Sequence, residues 1–134
     1  MAARTKARKR ALDLLYASEL RGEDPGQALD RAIAEGEAPT NDYTVTLVRG
    51  VVAERDGIDE LLAGASEGWT LARMPAVDRN VLRLGVFEML YVDDVPDAVA
   101  VSEAVGLVRE LSTDESPAFV NGVLGTILRN RPTA

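Results

Sequence analysis

Apolar side chains recur every three or four residues along most of the chain, and no segment alternates convincingly between apolar and polar positions. A spacing of three to four residues places the apolar side chains on one face of an α-helix. The pattern therefore predicts an all-α protein. We predict about six helices, joined by loops of the short lengths that helical bundles use.

Residues that favour the beginning of a helix predict where the helices of the first half start. The first helix is predicted over residues 4–20. Asp24 and Pro25 predict the start of the second, because an aspartate accepts backbone N–H groups as the N-cap and a proline suits the first helical position. Thr40 or Asn41 is the candidate cap of a long third helix.

Proline residues mark the starts of three helices in the second half. The fourth helix, predicted over residues 76–91, is apolar nearly all round, which is typical of a central, buried helix. The fifth is predicted to begin at Asp97, after Pro96. The sixth is predicted to have Ser116 as its N-cap and Pro117 as its first helical residue.

Three residues are interpreted as packing features. Gly122 and Gly125 lie inside the predicted sixth helix, where a missing side chain allows two backbones to approach closely. We therefore expect a close helix–helix crossing there. Trp69, in the loop before the fourth helix, is interpreted as a packing residue between the two halves of the chain.

The residue inventory argues against catalysis. The chain has no cysteine and no histidine, which excludes disulfides, thiol chemistry, zinc sites of the Cys/His kind and mechanisms that need an imidazole. Acidic pairs such as Asp93 and Asp94 lie in no recognisable metal-binding loop, and no glycine-rich phosphate loop is present. We predict a protein that is not an enzyme and that uses no metal or cofactor.

The apolar segments are too short for membrane insertion. No stretch approaches the ~18 uncharged apolar residues that a spanning helix needs, and acidic residues interrupt the N-terminal region before a signal sequence could form. We predict a soluble, cytoplasmic protein with no membrane partner.

Charge is distributed unevenly. The formal net charge is −7, yet the first ten residues carry no acidic residue and five basic ones. These are Arg4, Lys6, Arg8, Lys9 and Arg10. An acidic body with a basic arm indicates a nucleic-acid contact. The alternative is a solvated terminus whose charges aid solubility, since short basic runs are weak signals.

Four segments of the chain carry a recognisable sequence pattern. They are ARTKARKRALDLLYASEL at 3–20, PAVDRNVLRLGVFEMLY at 75–91, VPDAVAVSEAVGLVREL at 95–111 and SPAFVNGVLGTIL at 116–128. Together they resemble the NusB family from about Arg4 to Leu128, most specifically in FVNGVL at 119–124 and VAVSEAV at 99–105. The resemblance implies two packed three-helix bundles in one domain over 1–134, with a basic arm at 1–10, a first bundle at about 4–63 and a second at about 75–130.

The resemblance also implies a function in transcription antitermination. Such a protein binds boxA-type single-stranded RNA together with NusE, the small-subunit ribosomal protein number ten. The assembly helps RNA polymerase to complete the transcription of ribosomal RNA operons. The alternative is a protein–protein adaptor in the transcription complex that makes no direct RNA contact. An apolar patch on the helical body could hold NusE or a second copy of the chain, as a homodimer.

The charge of the arm and the family's positions together give the candidate RNA-binding residues. In the arm, Arg4, Lys6, Arg8 and Lys9 are predicted to follow the phosphates. Two aromatic residues match positions that the family uses near RNA, and we predict that they stack on bases; these are Tyr16 and Phe119. Their alternative role is core packing.

Two acidic residues complete the candidate set. Glu115 corresponds to an acidic position beside the family's RNA surface, where a carboxylate could accept a hydrogen bond from a base amino group. Asp78 matches a position implicated in NusE contact. Both residues have the same alternative, a favourable interaction with the positive end of a helix dipole.

Overall fold

A computed structural model of the chain describes residues 2–66 and 69–131. Within these ranges the chain forms six α-helices, a short 3-10 helix and no strand, which confirms the predicted all-α fold. The elements are α1 (Ala2–Arg21), α2 (Pro25–Ala34), α3 (Asp42–Ala65), the 3-10 helix (Leu71–Arg73), α4 (Ala76–Tyr91), α5 (Asp97–Leu111) and α6 (Ser116–Arg129). None of the helices in the described part of the chain has the length and hydropathy that membrane spanning requires.

Local capping explains where the early helices begin. The Asp24 side chain accepts a hydrogen bond from the backbone N–H of Gln27 at 3.0 Å, as an N-cap does. Asn41 does the same for α3, because its side-chain oxygen accepts from the backbone N–H of Tyr43 at 2.8 Å. Of the two candidate caps for α3, the structure therefore uses Asn41.

One predicted cap was wrong. Ser116 is the first residue of α6, and Glu115 occupies the N-cap position. The Ser116 hydroxyl is buried, donates to the Asp78 carboxyl group and accepts from the backbone N–H of Thr113, which precedes the helix. Its partners therefore lie outside the first turn of α6, which an N-cap side chain would bind.

The chain divides into two compact units, Met1–Glu54 and Arg55–Ala134. The division falls inside α3, so that the first unit holds α1, α2 and the beginning of α3. The second unit holds the end of α3 together with α4, α5 and α6. The assignment of bundles to about 4–63 and 75–130 stays a prediction.

In the first unit, two polar contacts tie the start of α3 to the basic end of α1. The Thr44 hydroxyl donates to the carbonyl of Ala7 at 3.0 Å, and the Asn41 amide donates to the carbonyl of Ala3 at 3.2 Å. Thr44 is buried, so its hydrogen bond is shielded from water. These contacts fix the basic end of α1 against α3. The buried apolar residues of the unit include Leu12, Leu15, Leu29, Leu47 and Val48.

In the second unit, α4 is the central helix, as its all-round apolar pattern predicted. It contacts both α5 and α6, and all of its residues from 80 to 89 are buried, most of them apolar and three of them polar or charged (Asn80, Arg83 and Glu88). Gly85 allows the close approach: a Cβ there would lie 3.0 Å from Leu124 Cδ1 and 3.5 Å from Ala104 Cβ. Arg83, also buried, makes paired hydrogen bonds to the Asp59 carboxylate at 2.8 and 3.1 Å.

The predicted close crossing at the α6 glycines was wrong. Among the described residues, no heavy atom of another helix would lie within 4 Å of a Cβ on Gly122. A Cβ on Gly125 would meet only Arg129 of the same helix, at 3.4 Å. The close crossing involves Gly85 instead, because α6 turns Leu124 and not its glycines towards α4.

Candidate nucleic-acid interface

The basic arm predicted over 1–10 is helical from Ala2 onward, and residue 1 lies outside the described residues. Lys6, Lys9 and Arg10 are exposed on the surface of α1. Because helical residues four apart share a face, Lys6 and Arg10 project on the same side. They line an open groove of about 670 Å³ whose other wall is the α2–α3 loop at residues 38–41. We call Lys6, Lys9 and Arg10 the cationic face.

The other two arm arginines lie near Tyr43 of α3. The guanidinium carbon of Arg4 is 4.1 Å from the centroid of the Tyr43 ring, and that of Arg8 is 5.8 Å away. Both are cation–π distances. Arg8 is only 4% exposed, and Arg4 is half-buried. In this conformation Arg8 offers almost no surface to RNA, and its role in RNA binding stays a prediction.

Sequence reasoning missed Tyr43 as a partner of the basic arm. Its position at the start of α3 carries no local signal of a contact with the arm. No local pattern connects it to Arg4 or Arg8, since they lie on different helices and meet only after α1 and α3 have packed.

Tyr16 lies further along α1 and is 36% exposed. Its ring is therefore accessible to a stacking base. Its use in RNA binding stays a prediction.

Phe119, in the second unit, is half of an aromatic pair. Its ring meets that of Trp69 edge to face, with centroids 4.8 Å apart and planes at 77°. Trp69 is 36% exposed, so part of the pair is open to solvent. The sequence suggested only packing for Trp69. The structure shows an exposed aromatic residue beside the one that the family pattern selected.

Glu115 lies one turn before Phe119, where α6 begins. Its carbonyl accepts a hydrogen bond from the Phe119 N–H at 3.1 Å. Its exposed side chain makes no capping hydrogen bond within the described structure. The carboxylate is thus available to a ligand beside the aromatic pair.

Asp78 is fully buried, at 0% exposure. Its carboxyl group accepts hydrogen bonds from the hydroxyl of Ser112 and from that of Ser116, the latter at 2.8 Å. A direct contact with NusE would require the side chain to leave this cluster. Partner binding through Asp78 stays a prediction.

Metal binding finds no support in the described ranges, which contain no group of three or more histidine, cysteine, aspartate or glutamate side chains able to hold an ion. The features found there are a cationic helix face, exposed aromatic rings and an exposed carboxylate. Together with the fold, they are typical of a small all-helical protein that binds nucleic acid.

The chain belongs to the NusB family, whose model matches residues 5–129. It is 74% identical over 133 residues to the transcription antitermination protein NusB of Nocardioides sp., covering 99% of this chain and 98% of the relative. It is 63% identical over 129 residues to the protein of the same name from Saccharopolyspora erythraea, covering 95% and 87%.

Solved structures show the same fold. A structure of T. maritima NusB superimposes with a TM-score of 0.83 at 32% identity, covering 94% of this chain and 90% of that one. The antitermination factor NusB in a crystal structure with NusE and double-stranded RNA gives a TM-score of 0.81 at 31% identity, covering 97% and 98%.

Proposed function

We propose that this chain is a transcription antitermination factor that binds boxA-type single-stranded RNA together with NusE and helps RNA polymerase to complete the transcription of ribosomal RNA operons. The observation that carries the proposal is the family match over residues 5–129. Its likeness, over 97% of its length, to a NusB solved with NusE and RNA supports both partners. The chain acts in the cytoplasm, as an adaptor without catalysis or cofactor.

Affinity in this proposal comes from the cationic face. Lys6, Lys9 and Arg10 are exposed and contact the phosphates. The half-buried Arg4 lies on the same helix and adds a fourth contact. Phosphate contacts of this kind release counterions and give affinity that falls as salt rises. They carry little sequence information.

Sequence preference comes from the aromatic rings and the nearby carboxylate. Single-stranded RNA leaves its bases free to stack on aromatic side chains, and Trp69 and Phe119 offer such a surface, as Tyr16 does in the first unit. Glu115, beside Phe119, accepts a hydrogen bond from the amino group of cytosine or another base.

One observation favours a second candidate function. Arg4 and Arg8 are held near Tyr43, which leaves the arm with fewer exposed cations than the sequence suggests. A protein–protein adaptor that recruits NusE while NusE makes all the RNA contacts would need no cationic face. A second copy of the chain, as a homodimer, could compete with NusE for the same surface.

The test is the binding of a fluorescently labelled boxA-like single strand, measured by anisotropy with and without NusE. Matched controls are a scrambled strand of the same composition and a boxA-like duplex. The proposal predicts saturable binding, a preference for the boxA single strand over both controls, and tighter binding when NusE is present. Equal affinity for boxA and scrambled strands, even with NusE, would refute it. No RNA binding by the chain alone together with tight NusE binding would favour the adaptor.

A further inference from the structure

The turn between α5 and α6 is hydrogen-bonded at both ends to one carboxyl group from α4. Ser112 follows α5 as its C-cap, and its hydroxyl donates to one oxygen of Asp78. Ser116 begins α6, and its hydroxyl donates to the other oxygen at 2.8 Å. The Ser116 hydroxyl in turn accepts from the backbone N–H of Thr113 at 3.2 Å. Both ends of the five-residue turn are thus fixed to the same buried group.

The hydrogen bonds of Asp78 join it to the α5–α6 turn and not to its own helix. It lies in the first turn of α4, where an acidic side chain favours the helix dipole. Its two oxygens accept instead from the serine hydroxyls, and no part of the side chain is exposed. A direct partner contact does not account for a carboxyl group in this position.

The turn carries the residues proposed to read RNA bases. Glu115 is exposed and immediately precedes Ser116. Phe119 follows one helical turn later and is linked to Glu115 by a backbone hydrogen bond of 3.1 Å. A shift of the first turn of α6 would displace both side chains together, because they belong to one rigid helical turn.

We infer that Asp78 is a positioning residue of the RNA-reading surface, which holds the α5–α6 turn so that Glu115 and Phe119 present a fixed arrangement to the bases. This inference rests on the proposed function. It replaces direct partner contact as the role of Asp78. Removing the carboxyl group leaves the buried hydroxyl of Ser116 and the half-buried hydroxyl of Ser112 without their shared acceptor. Such groups regain hydrogen bonds by moving towards water.

The test compares three single variants in the RNA assay. Asp78→Ala removes both serine contacts, and Ser116→Ala removes one with little change in volume. Val86→Ala is the control, since Val86 is also fully buried on α4 but its apolar side chain makes no hydrogen bond to the turn. All measurements are made with NusE, well below the lowest melting temperature, with folding checked by circular dichroism. Ser116→Ala decides the question if Asp78→Ala does not fold.

The expected result is a loss of discrimination without a loss of general affinity. The preference for boxA over the scrambled strand should fall about tenfold in Asp78→Ala and in Ser116→Ala, the discrimination of one good base contact. Affinity for the scrambled strand should stay within about twofold, because the phosphate contacts remain. A fourth variant that combines Asp78→Ala with Ser116→Ala should lose no more preference than Asp78→Ala alone, since both changes break the same connection. Val86→Ala should keep its preference.

Four results would overturn the inference. Unchanged preference in Asp78→Ala or Ser116→Ala would leave the proposed function standing and remove the positioning role. An equal loss in Val86→Ala would show that general destabilisation is the cause. Weaker NusE binding by Asp78→Ala in the absence of RNA, with RNA preference intact, would favour a partner role. Absence of any boxA preference in the wild-type protein would refute the proposed function, and the inference with it.

Discussion

The rings of Trp69 and Phe119 meet edge to face, with their centroids 4.8 Å apart. Trp69 is the only tryptophan in the sequence, so its fluorescence reports on this pair without a label. The exposed part of the pair is the surface that we propose for base stacking in the second unit.

Replacing Phe119 should weaken RNA binding. In Phe119→Leu the ring is lost but an apolar side chain remains, and we expect a cost of about 1–3 kcal/mol, the contribution of one base stacked on an aromatic ring. RNA should quench Trp69 fluorescence in the wild-type protein and quench it less in the variant. Phe87→Leu is the matched control, since the buried Phe87 ring stacks on Tyr91 and not on Trp69. Equal RNA affinity of the two variants would contradict the stacking role.

The ring of Tyr43 should stabilise the first unit through Arg4 and Arg8. We expect Tyr43→Leu to be less stable than Tyr43→Phe by about 1 kcal/mol, because phenylalanine keeps the ring face and leucine does not. Urea unfolding of the two variants measures the difference. Comparing Tyr43→Phe with the wild type gives the contribution of the Tyr43 hydroxyl to the free energy of unfolding. If leucine and phenylalanine are equally tolerated, the cation–π contacts contribute nothing.

Two glycine-to-alanine substitutions should have opposite effects. Alanine is the better helix former by about 1 kcal/mol, so Gly122→Ala should stabilise the protein, since its Cβ enters open space. Gly85→Ala should destabilise it by about 1–3 kcal/mol, because the new Cβ would lie 3.0 Å from Leu124 in a packed core. Thermal unfolding of both variants provides the comparison. Destabilisation by Gly122→Ala would restore the close crossing that the sequence suggested.

The pKa of Glu23 should be lower than that of an ordinary glutamate. Its carboxylate accepts a hydrogen bond from Arg31, which lowers the pKa, and the charge of Arg31 lowers it further. Because the folded-state pKa is depressed, the stabilising contribution is complete above the ordinary glutamate pKa and is lost as the pH falls through the folded value.

An NMR titration of the Glu23 carboxyl carbon tests this pH dependence. Arg31→Met should return the pKa of Glu23 towards its ordinary value. Arg49→Met is the control, because Arg49 is paired with Asp30 at 2.7 Å. A Glu23 pKa that does not respond to loss of Arg31 would show that the pair does not persist in solution.

Local signals predicted the helices well. The bounds of α4 agree with the predicted 76–91, and Asp24 and Asn41 cap helices as their side chains suggested. Each of these features depends on residues within one or two turns of one another, and such information is present in the sequence itself.

Contacts between helices could not be predicted in the same way. The sequence showed glycines in α4 and α6, but which of them faces a neighbour depends on how each helix is rotated in the packed unit. For the same reason, the contact between Arg4 and Tyr43 was not predicted. Nor were the hydrogen bonds that two serine hydroxyls donate to Asp78. The predicted cap at Ser116 was wrong for a related reason, because the Ser116 hydroxyl lies in a hydrogen-bonded cluster with Asp78, which is distant in the sequence.

Direct contact between the cationic face and RNA is the central claim, and the salt dependence of RNA affinity tests it most directly. The cationic face and Arg4 together supply four phosphate contacts. At about 0.7 for each contact, the plot of log affinity against log salt should have a slope of about −3. In Lys6→Ala/Arg10→Ala the slope should rise to about −1.5, whereas Arg21→Ala/Arg109→Ala, which removes two exposed arginines outside the cationic face, should keep the wild-type slope. The same slope in all three proteins would contradict direct contact and favour the adaptor that leaves RNA to its partner.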